Sequence, residues 1–64
     1  MILMTRADLS LLADEILDVR DRGGSERKAA EEWCEEHHAV FTTELLAQAI
    51  ALTNAKASAR SLAA

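Results

Sequence analysis

Leu9, Leu12, Ile16 and Val19 recur at spacings of three, four and three, which lines them up on one face of a helix. Leu11 and Leu17 widen that stripe on one side. Asp14, Glu15, Asp18 and Asp21 take the opposite side, where Asp18 and Arg22 stand four apart with opposite charge. Thr5 is a good N-cap, and Asp8 three residues on is a shortened version of the acid that completes a capping box. Met4 and Leu9 occupy the two positions of a hydrophobic staple. Gly23-Gly24 ends the element, since glycine enters the left-handed conformation at a helix C-terminus without steric cost. The pattern predicts a helix over residues 6–22, about 25 Å long at 1.5 Å per residue.

Ser25 caps a second predicted helix over residues 26–41, with Glu26 in the first turn where negative charge suits the helix dipole. Ala30, Trp33, Cys34, His37 and Phe41 fall on one side, and Glu31, Glu32, Glu35 and Glu36 form an acidic flank. A connection as short as Gly-Gly makes the first two helices an antiparallel hairpin. At Val40-Phe41-Thr42-Thr43 four weak helix formers favour a break, with Thr42 as the next cap and Phe41 and Leu46 as its staple pair. The alternative is one long bent second helix, because the stretch holds neither glycine nor proline. Leu45, Leu46, Ala49, Ile50 and Leu52 then predict a third helix over residues 43–55. The small residues of 56–64 offer little to bury and predict a frayed tail.

Composition supports the all-α class. Of 32 apolar residues 13 are alanine and nine leucine, against three isoleucines and two valines, so strong helix formers dominate and β-branched residues are scarce. The 64 residues form one small domain whose solitary core is marginal, since such a chain buries only roughly 60% of its unfolded surface. A single cysteine cannot form an internal disulfide, and one Cys with two His is too few for a four-ligand zinc site. Oligomerisation, or folding against a partner, remains as the source of extra stability. The expected architecture is a helical hairpin plus a third helix, a small bundle completed by dimerisation. Leu9, Leu12, Ile16, Val19, Trp33, Phe41, Leu45 and Ile50 are the candidate apolar interface, and Trp33 is expected to be at least partly buried. Ile2, Leu3 and Met4 precede the first cap with no evident intrachain cover.

Charge narrows the function. Residues 8–44 hold eleven acids against Arg20, Arg22, Arg27 and Lys28, a net of −7; residues 1–7 add +1 and 45–64 add +2, giving −4 for the chain. That field repels phosphates, and the third helix offers only Gln48, Thr53 and Asn54 before its first cation, Lys56. Direct nucleic-acid binding is therefore not favoured. Asp14, Asp18 and Asp21 on one helix and Glu31, Glu32, Glu35 and Glu36 on its hairpin neighbour are the candidate partner-binding face, complementary to a basic patch. Solvation alone is the plainer account of such a charge run.

The remaining chemistry is thin. Cys34, His37 and His38 stand at i, i+3 and i+4, a possible two-ligand clip, but a metal would need further ligands. A Cys-His nucleophile would lack an orienting third group and a pocket. Gly23-Gly24-Ser25 precedes a helix but lacks the strand and glycine spacing of a phosphate loop. No catalytic residue, cofactor or metal is assigned. Met1-Ile2-Leu3-Met4 is too short for a signal-peptide core, and no apolar run approaches a membrane span, so the expected location is the cytoplasm, or a host's if the gene is a phage's. The reading is a non-enzymatic, homodimeric protein of bacterial or phage accessory type. It binds a larger protein, such as a DNA-binding regulator, and occludes a functional surface, as an anti-activator does. The alternatives are a small helix-turn-helix regulator or antitoxin, and a purely structural dimerisation module.

Overall fold

The structure is a computed structural model that describes residues 5–63. Among these residues there are three helices and no strand: α1 (Arg6–Asp21), α2 (Glu26–Glu36) and α3 (Thr43–Ala63). Among the described residues no helix is long and apolar enough to cross a membrane. The Met4–Leu9 staple and the cover of Ile2, Leu3 and Met4 lie outside the described residues.

Capping follows the sequence closely. The Thr5 hydroxyl accepts from the Asp8 N–H at 3.1 Å, and the Asp8 carboxylate accepts from the Thr5 N–H at 3.1 Å, so the shortened capping box closes. The Ser25 hydroxyl accepts from the Lys28 N–H, and Thr42 does the same for Leu45. At the end of α1 the Gly24 N–H returns to the Val19 carbonyl and the Gly23 N–H to that of Arg20. This double closure needs Gly23 at φ 77°.

The second helix is shorter than its pattern predicts. It ends at Glu36, five residues before the expected limit, because His38 takes the left-handed conformation at φ 56° and the Ala39 N–H closes on the Cys34 carbonyl at 2.8 Å. The same motif that glycine builds after α1 is built here by histidine. Phe41 therefore leaves the Trp33 face of α2 and packs against the core from the connecting loop, with the Arg27 guanidinium 5.8 Å above its ring. The break between the second and third elements is real, and the long bent helix is not formed.

The third helix corrects the expected tail. It continues to Ala63 instead of stopping near residue 55. Alanine-rich sequence favours helix, and two cations pin this half to α1. Lys56 Nζ donates to the Ser10 carbonyl at 3.1 Å, the Ser10 hydroxyl at 2.7 Å and the Asp14 carboxylate at 2.6 Å, and Arg60 reaches Asp21 at 2.9 Å.

α1 is the central element and packs on both others. α2 runs back along it through the hairpin. α3 runs parallel to it, as the successive contacts of Ala13 with Thr53, Asp14 with Lys56 and Asp21 with Arg60 require. The core gathers Leu12 and Ile16 from α1, Ala30, Trp33 and Cys34 from α2, and Ala49 from α3, with Leu9, Ala39, Phe41, Leu45 and Leu46 partly buried around it. Where α1 crosses α3, Ala13, Ala49 and Thr53 are fully buried. The Thr53 hydroxyl donates to the Ala49 carbonyl at 2.7 Å and lies 3.3 Å from that of Ala13, so burial leaves it satisfied.

Candidate functional site

The acids divide by the helix they face. Successive residues of a helix turn by about 100°, so Asp14 and Asp21 point to the α3 side of α1 while Glu15 points to the α2 side. Asp14 and Asp21 are neutralised there by Lys56 and Arg60. Asp18 pairs with Arg22 on its own helix at 3.0 Å. On α2, Glu31 pairs with Arg27 at 3.0 Å, beside Phe41. Glu26 in the first turn holds Arg20 at 2.8 Å, and this bond raises the guanidinium pKa above its ordinary value.

The single acidic face expected over Asp14, Asp18, Asp21, Glu31, Glu32, Glu35 and Glu36 is therefore not assembled. What the fold brings together is Glu15 with Glu32 and Glu36, which line one cleft of about 220 Å³ along the α1–α2 groove with Ala29, Trp33 and His37. Glu35 is exposed on the outer side of α2. None of these four carboxylates is in an ion pair among the described residues.

An aromatic pair closes the end of that cleft. The His37 ring stacks on Trp33 with centroids 4.0 Å apart and planes 16° from parallel. Its Nδ1 lies 2.9 Å from the Trp33 carbonyl oxygen, a hydrogen bond that places a proton on Nδ1. The same carbonyl also accepts from the His37 backbone N–H at 3.1 Å. Trp33 itself is 8% exposed, so its partial burial, expected from the sequence, is observed as nearly complete.

Cys34, His37 and His38 do not converge as a clip. Cys34 is in the core, where burial pushes its thiol pKa up, and His38 has left the helix at its left-handed turn. No group of three His, Cys, Asp or Glu is arranged to hold a metal among the described residues.

The apolar candidates also divide. Leu12 and Ile16 are fully buried inside the chain's own core and present no surface to a second molecule, while Trp33, 8% exposed, belongs to that core and also lines the α1–α2 cleft. Leu9, Val19, Phe41, Leu45 and Ile50 are half-buried. A second groove lies between the N-terminal halves of α1 and α3, as two clefts of about 220 and 390 Å³ that share Arg6 and Leu9 and include Leu45 and Leu52.

Sequence reasoning omitted Glu15 and the Trp33–His37 stack from the site. Glu15 lies one position past Asp14, and only the side on which α2 packs distinguishes them. The spacing of Trp33 and His37, four apart on a helix, is the one signal that pointed to the stack. Comparison with known proteins finds no matching family, no matching curated protein and no matching solved structure.

Proposed function

We propose that the chain is a non-enzymatic, cytoplasmic regulator that works as a homodimer and docks its α1–α2 groove on a basic surface of a larger protein, occluding it. The observation that supports this is the convergence of Glu15, Glu32 and Glu36 from two helices on one cleft, without an intrachain cation among the described residues. Five of the eight other acids, Asp14, Asp18, Asp21, Glu26 and Glu31, each have a cation within hydrogen-bond distance, and the three that do not, Asp8, Glu35 and Glu44, do not line the cleft. An uncompensated cluster next to an aromatic stack suits an arginine- or lysine-bearing partner, whose charge finds carboxylates and whose alkyl stem finds an apolar wall. A DNA-binding face is such a surface, and covering it makes an anti-activator.

The test uses the full chain as bait in a bacterial lysate, beside a Glu15→Lys/Glu32→Lys/Glu36→Lys variant. The proposal expects a retained protein that is lost with the variant and lost in 1 M salt, where the Debye length falls to about 3 Å. Nucleic acid retained without protein overturns it in favour of a DNA-binding regulator. A protein retained equally by both baits shows that the carboxylates are only a solvated face.

A further inference from the structure

We infer that a second copy of this chain covers the groove between the N-terminal halves of α1 and α3, on the side of the molecule away from the acidic cleft. The inference deepens the proposed dimer and rests on it, since it names the face through which the copies meet.

Charge selects the face. Two copies of a chain with net charge −4 repel, so they associate only where that repulsion is smallest. Docking through the α2 side would oppose Glu15, Glu32, Glu35 and Glu36 of each copy, none of them in an ion pair among the described residues. The α1–α3 side is different. Its acids Asp14 and Asp21 are already neutralised by Lys56 and Arg60, and the two charges left in no ion pair among the described residues, Arg6 at the groove's rim and Glu44 one turn before Gln48 on α3, are of opposite sign. That side is close to neutral.

Shape agrees. The two clefts run on from one another through Arg6 and Leu9, and Leu45 and Leu52 give the groove an apolar floor from α3. Ala55 and Ala59 continue the Gln48–Leu52 line at helical spacing, are exposed, and add no charge.

Sedimentation equilibrium of the full chain at 10–100 micromolar (about the range where weak dimers form) tests the assignment with three variants. Leu52→Glu places a carboxylate in the groove. Ala55→Glu does so at an exposed position with no core contact, so it keeps the test valid should Leu52→Glu unfold. Glu35→Lys alters the opposite side. The expected result is a dimer for the unmodified chain and for Glu35→Lys, and at least a tenfold weaker dimer for Leu52→Glu and Ala55→Glu with helicity by circular dichroism unchanged. A dimer that survives both groove substitutions overturns this inference while leaving the dimer itself standing. A well-folded monomer for the unmodified chain overturns both.

Discussion

His38 is the residue at which local chemistry and fold disagree most plainly. Its φ of 56° lies in the region that costs a side chain roughly 1–2 kcal/mol, and the equivalent position after α1 is Gly23. Glycine relieves that cost but loses more chain entropy on folding, roughly 0.5–1 kcal/mol. His38→Gly should therefore stabilise the protein by about 0.5–1 kcal/mol, seen as a higher urea midpoint at unchanged m-value. Asp8 gives a second residue-level outcome. The Thr5 N–H, then the Thr5 hydroxyl, hold its carboxyl below the ordinary value of 3.8. A depressed folded pKa means stability that is present above the unfolded value and lost as pH falls through the folded one. The thermal midpoint of Asp8→Asn should lie below that of the unmodified protein at pH 7, and the gap should close as pH drops below 3.8. A gap that stays constant with pH would show that the carboxylate charge plays no part in the cap.

At the scale of elements, α1 was legible from end to end because its cap, stripe and glycine stop all lie within neighbouring residues. The other two boundaries were not. The end of α2 turns on a histidine adopting a conformation that sequence rules reserve for glycine or asparagine. The reach of α3 turns on Lys56 and Arg60 finding carboxylates some 40 positions earlier, at separations of 42 and 39 residues. Lys56 is the stronger tie, since it satisfies three acceptors on α1 and its side chain is 28% exposed. Lys56→Ala should cost on the order of 1 kcal/mol, discounted from the 1.5–3 typical of charged hydrogen bonds for its partial exposure. Hydrogen exchange should speed up in residues 57–63 and not in α1. Arg60→Ala, at a pair exposed by more than half on the arginine side, should change stability by less than about 0.5 kcal/mol.

At the scale of the whole molecule, one side chain dominates. Trp33 joins α2 to the core residues of α1 and α3, and removing a buried tryptophan costs roughly 3–5 kcal/mol. A domain this small has a total stability of roughly 3–10 kcal/mol, at 0.05–0.15 kcal/mol per residue. Trp33→Ala should leave a largely unfolded chain by circular dichroism at 37 °C. Cys34 reports the same cooperativity without a substitution. At 1% exposure, with its pKa raised by burial, its thiol should react with iodoacetamide only through opening of the fold. Labelling should accelerate with urea in step with the loss of helicity. Labelling that runs ahead of that loss would show that α2 detaches before α1 and α3 separate.

Helix content, the hairpin, the three N-caps and the burial of Trp33 follow from local spacing and propensity, which act over one or two turns and are written in consecutive residues. The division of the acids does not. Asp14, Glu15 and Asp18 share one face in any reading of α1 by itself, and they separate only when α3 takes one side of the helix and α2 the other. The side of α1 that each neighbour takes decided that, and on the α3 side the contact is made by small residues, with Ala13, Ala49 and Thr53 fully buried. The same crossing turned Lys56 and Arg60 inward to α1 and left Glu15, Glu32 and Glu36 without a cation among the described residues. The sequence alone determined how many charges of each sign the chain carries, whereas only the tertiary structure decided which of them cancel.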